Sequence, residues 1–196
     1  MRLGAKQITL LVLTGLGLTL WGCSARQAEH FLWPDSDDPY LRITRKWSAS
    51  RNIYSGLETR LIAHVTYKSP DWTRAYARKK ARVYGLDPEE TQESLQIFSR
   101  HLEEETEFFV SLYSPQPKAT ELGFKDSAWK VYLQTAQGRR EPLEIREVHQ
   151  SLVTLQPFFP YVEKWHQNYV LRFPGSSPES AALVLTGPQG RAEFIW

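Results

Sequence analysis

Between residues 58 and 113 the hydrophobic rhythm of the chain changes twice. Over 58–68, Leu61, Ala63, Val65 and Tyr67 alternate with Arg60, Ile62, His64 and Thr66, a period of two that predicts a half-buried strand. Residues 43–54 supply its hairpin partner, with Ser55-Gly56 as the turn. The period then becomes helical. Ser69 caps, Pro70 takes the first helical position, and Trp72, Ala75, Tyr76, Lys79 and Val83 share one face before Gly85 ends the helix. Asp87-Pro88-Glu89-Glu90 opens a second helix with the elements of a capping box, and Thr91, Leu95, Phe98 and Leu102 form its apolar stripe. From Thr106 the period of two returns with Phe108, Val110 and Leu112.

The remainder reads as strands and turns. Trp129, Val131 and Leu133 alternate with Lys130, Tyr132 and Gln134, residues 136–139 turn, and Leu143 and Ile145 continue on the other side of that hairpin. Residues 152–155 suggest another short strand, and Tyr169, Leu171 and Phe173 make the next. Residues 182–186 and 191–196 form a last hairpin around Gly187-Pro188-Gln189-Gly190. Roughly seven or eight short strands with regular turn signals predict a mainly β protein, an antiparallel immunoglobulin-like β-sandwich with an inserted αα-hairpin at about 70–104. No βαβ rhythm supports a parallel sheet.

The N-terminus has a different pattern. Arg2 and Lys6 precede an apolar run over residues 8–20, and Leu20-Trp21-Gly22-Cys23 follows, with the only cysteine of the chain. A charged start, a short apolar run and a small residue before the cut are the parts of a secretory signal peptide, and the run is too short to span a bilayer. The segment resembles the lipobox of bacterial lipoproteins; Trp21 departs from it, since that position usually holds a small residue. The resemblance implies a signal peptide over 1–22, a lipidated Cys23 as mature N-terminus and a membrane-anchored protein of the cell envelope. In Gram-negative bacteria, Ser24 rather than Asp after the cysteine implies the outer membrane, with the domain facing the periplasm. Residues 23–42 carry Asp35-Ser36-Asp37-Asp38-Pro39 and read as a flexible tether, which leaves 43–196 as the domain.

Charge changes the picture once the leader is removed. The chain has 24 basic and 22 acidic residues, and residues 1–22 hold two of the bases and no acid, so the mature chain is balanced. That gives no support for a nucleic-acid partner. With no second cysteine, a disulfide within the chain is excluded.

The chemistry-bearing residues form no recognisable catalytic constellation. His30, His64, His101, His149 and His166 make no His-x-His or His-Glu-x-x-His pattern, and neither a metal nor a cofactor is implied. Gly175-Ser176-Ser177-Pro178 is not a nucleophile elbow. Glu103, Glu104, Glu105 and Glu107 read as a solvated helix end. Arg74, Arg78, Lys79, Lys80 and Arg82 crowd five cations into nine residues; they either pair with Glu89, Glu90, Glu93, Glu103 and Glu104 of the next helix or contact an anionic surface. The aromatic segment 155–165 contains Phe158, Phe159, Tyr161 and Trp165. It either plugs one end of the sandwich or forms an exposed anchor for a partner protein. The function expected is a non-catalytic interaction or assembly module with an envelope protein partner. The alternatives are a hydrolase using His64 or His166, which needs a concave site with converging titratable groups, and a carrier of an apolar ligand, which needs a hollow interior.

Overall fold

The computed structural model describes residues 37–123, 127–176, 178 and 180–196. The expected leader 1–22, Cys23 and the tether as far as residue 36 lie outside the described residues. Nine strands, β1 (Ser48–Ser55), β2 (Glu58–Tyr67), β3 (Glu105–Tyr113), β4 (Lys130–Thr135), β5 (Gly138–Arg140), β6 (Glu144–Glu147), β7 (Gln167–Pro174), β8 (Ala181–Gly187) and β9 (Gly190–Ile195), are described. They sort into two antiparallel sheets, ordered β1-β2-β3-β7-β6 and β5-β4-β8-β9. With β1 set aside this is the immunoglobulin order, A-B-E-D against C′-C-F-G. β1 is an additional edge strand, and its Ile53 meets Gly190 of β9 across the gap between sheets.

The sandwich interior follows from the alternation. Leu61, Ala63 and Val65 of β2, Phe108, Val110 and Leu112 of β3, and Leu171 and Phe173 of β7 face Leu133, Leu183, Leu185 and Phe194 of the other sheet, all without solvent exposure. Trp129, just before β4, is buried at one end, and its indole N–H donates to Ala119 O at 2.6 Å.

Three helices of at least two turns and one short one lie among the strands: α1 (Pro39–Lys46), α2 (Pro70–Tyr84), α3 (Pro88–Glu104) and α4 (Leu152–Leu155). The hairpin α2–α3 sits in the connection from β2 to β3. Its caps act as the sequence predicts: Ser69 accepts from Trp72 N, Gly85 is left-handed, and Asp87 and Glu90 form the reciprocal capping box.

Five expectations are corrected. The tether does not extend to 42, nor the hairpin partner of β2 back to 43. Asp38 caps α1, accepting from Tyr40 N at 2.9 Å with Pro39 at the first helical position, so the turn signals there start a helix. Residues 152–155 are helical because the Ser151 side chain accepts from Thr154 N. Ile145 does not continue the β4–β5 hairpin; β6 crosses to the other sheet and pairs with β7. In α2 the buried positions are Trp72, Thr73 and Ala77, while Val83 is exposed. The sheet below covers a face rotated toward Thr73.

Candidate functional site

The outer face of the five-stranded sheet is also covered, by α1, α2 and the segment 155–166. Its side chains change character from one end to the other. At one end a transverse row runs Ser50, His64, Ser111 and Asn168 across β1, β2, β3 and β7. Ser50 Oγ hydrogen-bonds His64 Nδ1 at 2.6 Å, and Ser111 Oγ hydrogen-bonds His166 Nδ1 at 2.9 Å. One step along, Thr66 Oγ1 lies 2.6 Å from both Ser48 Oγ and Tyr161 Oη. The His64 ring is 3% exposed and stacks between Tyr161 (5.1 Å) and His166 (5.8 Å). Burial, and next the neighbouring His166, lower the His64 pKa from its ordinary value to about 4. His166 is lowered too, chiefly by burial. Both rings are therefore neutral at pH 7.

The aromatic segment lies on this row, and three of its four candidate anchors are not exposed. Phe158, Phe159 and Tyr161 retain 4%, 5% and 3% of their surface. Phe159 stacks on Phe109 of β3 at 3.7 Å and near-parallel, and on Trp72 of α2 at 5.7 Å. Phe158 O accepts from the Tyr40 hydroxyl of α1. Pro157 and Pro160 bar a strand, and the segment closes a second core over Thr66 and Phe109 on the outer face of β2 and β3. Only Trp165 of the four is exposed, at 71%.

At the other end the cover lifts. Between α3 and the sheet is a groove of about 840 Å³, within the size range of ligand sites. Phe109, Val170 and Phe159 form its floor, and Ile97, Phe98 and Leu102 of α3 its wall. No side chain described on α3 is fully buried, and Ile97 is 48% exposed. The apolar stripe of α3 is thus only half-buried: Phe98 meets Tyr76 of α2 edge-on at 6.2 Å, and Ile97 beside it is open to the groove. The rim is charged with both signs. Lys68 pairs with Glu107, and Arg172 lies 3.3 Å from Glu105 and 2.7 Å from Glu144. Arg146, Glu147 and His149 continue it. Glu105 and Glu107 are thus not a solvated helix end but the acidic half of these pairs.

Sequence reasoning saw the α3 stripe and the glutamates but not the groove. Lys68, Arg146 and Arg172 are distant in sequence, and the β2–β3, β3–β7 and β6–β7 pairings bring them together.

The two Ser–His hydrogen bonds resemble the first link of an acyl-transfer site, but their surroundings differ from one. Ser111 has no solvent exposure, and neither histidine has a carboxylate hydrogen-bonded to its second nitrogen among the described residues. Among the described residues, buried apolar side chains of both sheets line the sandwich interior.

The five cations of α2 separate. Lys79 turns to Asp38 at 2.6 Å, both side chains mostly buried, and this hydrogen bond is the main cause of the lowered Asp38 pKa. Arg74 pairs with Asp71. Lys80, two residues on from Arg78 and so about 160° round the helix, is half-buried. None of the five pairs with an α3 glutamate among the described residues. Arg74, Arg78 and Arg82 remain as a row on the outer side.

No protein-family model matches this chain, and no curated protein matches it. Among solved structures, the chain is similar to a DUF4426 family protein from Pseudomonas aeruginosa PAO1, at 13% identity and a TM-score of 0.32, over 75% of this chain and 90% of that one. It is also similar to a protein of unknown function from Burkholderia pseudomallei K96243, at 12% identity and a TM-score of 0.40, over 87% and 84% of the two chains.

Proposed function

We propose that this protein is an envelope lipoprotein, held in the membrane through a lipidated Cys23, whose immunoglobulin-like domain is a non-catalytic interaction module. Its groove takes an amphipathic segment of an envelope partner protein. The observation that carries this is the unfilled space beneath α3: an apolar floor and wall of the size of a ligand site, rimmed by charges of both signs. A segment with apolar side chains and flanking polar groups matches both parts. A wholly apolar cargo would match the floor and wall but make no use of the charged rim, which a segment with flanking polar groups can reach. The Ser–His pairs act as structural ties in this reading: Ser111 has no exposure, and His64, the partner of half-buried Ser50, is itself 3% exposed.

A photo-crosslinking amino acid replacing Ile97 in the anchored protein tests it. Crosslinks to one envelope protein from position 97, but not from the exposed turn residue Leu57, are the expected result, and Phe98→Asp removes them. Equal crosslinking from both positions, or none from 97, overturns the reading. Intact-mass analysis of the same protein shows whether Cys23 carries lipid.

A further inference from the structure

The groove leaves one strongly charged surface unexplained, on the opposite side of α2. Helices α1 and α2 lie antiparallel. Asp38 at the start of α1 pairs with Lys79 late in α2, while Thr44 near the end of α1 accepts from the Trp72 indole at the start of α2, at 3.1 Å. Between them runs a shallow depression lined by Ile43, Lys46, Arg74, Ala75 and Arg78 among others. Arg42 lies one turn back from Lys46 on α1, and Arg82 one turn on from Arg78 on α2. Two rows of cations, Arg42–Lys46 and Arg74–Arg78–Arg82, therefore flank one depression. Arg45 lies beside them, exposed.

The acids that accompany these helices are largely engaged. α1 contains none, and α2 contains only Asp71, which is paired with Arg74. Arg42, Lys46, Arg78 and Arg82 make no ion pair among the described residues. Four like charges on two packed helices repel one another; Asp38, though paired with Lys79, reduces this for Arg82, and an anionic surface would relieve it for all four. The protein's own acidic helix α3 does not, since no α2 cation pairs with it among the described residues.

We infer that this two-helix face rests on the anionic headgroups of the membrane that carries the protein. The depression is open to solvent between two rows of exposed cations, as contact with a plane of phosphates requires, and the one acid in its lining, Asp71, is paired with Arg74. Position on the chain agrees, and this part rests on the lipoprotein reading. The 15 residues from Cys23 to Asp38 span at most on the order of 50 Å, and α1 is the first element described after them. The anchor then acts as one membrane signal and the basic face as the second, the combination by which lipidated proteins are held and oriented at a bilayer. The face held against lipid is not the face that opens the groove, so the groove stays accessible.

The test uses the full protein in vesicles, with an environment-sensitive fluorescent amino acid replacing Arg45 and a second preparation carrying it in place of Gln137 at the β4–β5 turn. Vesicles are phosphatidylcholine alone, or phosphatidylcholine with about one-third phosphatidylglycerol, each containing a nitroxide-headgroup lipid as quencher. Position 45 is quenched in the anionic vesicles only, about tenfold more than position 137, and released by molar salt. The pair R78E/R82E removes most of that quenching, while circular dichroism shows the fold retained. Equal signals in the two vesicles, or quenching indifferent to R78E/R82E, overturns the inference and points the face toward protein. An intact mass without lipid on Cys23 sinks the lipoprotein reading instead, and the composition dependence still decides whether headgroups are bound.

Discussion

The two faces of the five-stranded sheet are built on different principles. On the inner face Leu61, Val65, Leu112, Leu171 and Phe173 meet the second sheet with no polar atom to satisfy, and the contact is non-directional. On the outer face the same strands present His64, Thr66, Ser111 and Asn168, all buried, held by paired hydroxyl and imidazole groups and roofed by aromatic rings. None of these five inner-face side chains titrates. The outer face depends on neutral histidines and ends in an open groove. One sheet thus separates the part that specifies the fold from the part that can respond to its surroundings.

The largest effect that would break this comparison lies in the interior. Leu171→Ala, at a position with no exposure, lowers unfolding free energy by about 2–5 kcal/mol in denaturant melts; a loss under about 1 kcal/mol would show that the inner face is not the main core.

The pH response comes next. A histidine whose folded pKa is depressed keeps its full stabilising contribution above its ordinary value, near 6.5, and loses it as pH falls toward the folded value. For His64, lowered to about 4, stability declines between pH 6.5 and 4 by about 3 kcal/mol. His64→Gln flattens that limb in melts taken across the range. An unchanged slope would place the titration elsewhere.

Thr66→Val removes the hydroxyl between Ser48 and Tyr161 and costs about 1–2 kcal/mol at all pH values. Phe98→Ala is the smallest, below about 1 kcal/mol because its side chain is only half-buried at the groove, yet it abolishes crosslinking from position 97. A large stability loss there would mean that α3 packs as core.

Local signals were legible and two-sided burial was not. Ser69-Pro70 and Asp87-Pro88 announced their helices because a cap and a proline act within one turn. Asp38-Pro39 carries the same signal, but a run of turn-forming residues precedes it and no long apolar stripe follows, so it read as tether. The strand β2 shows the deeper reason. Ile62, His64 and Thr66 look like a solvent-facing set, and only the covering segment, far along the chain, makes His64 and Thr66 interior. The same distance hid Phe158 and Phe159, whose partners Tyr40, Trp72 and Phe109 lie 50 or more residues away. The groove was least legible of all, because an unfilled space is set by how far α3 stands from the sheet and no residue pattern encodes that distance.

Helix α3 runs into β3 without a linker: Glu104 ends the helix and Glu105 begins the strand. Gly175 N donates to Glu104 O at 2.8 Å, Thr106 Oγ1 donates to Gly175 O at 2.9 Å, and Arg172 grips Glu105. Mechanically this is a beam clamped at its root and tied at its far end to α2 through Gly85 and the Asp87 cap, not a flap on a hinge. A guest that wedges beneath it loads the span around Phe98, and the clamp delivers the load as torque to β3 and β7.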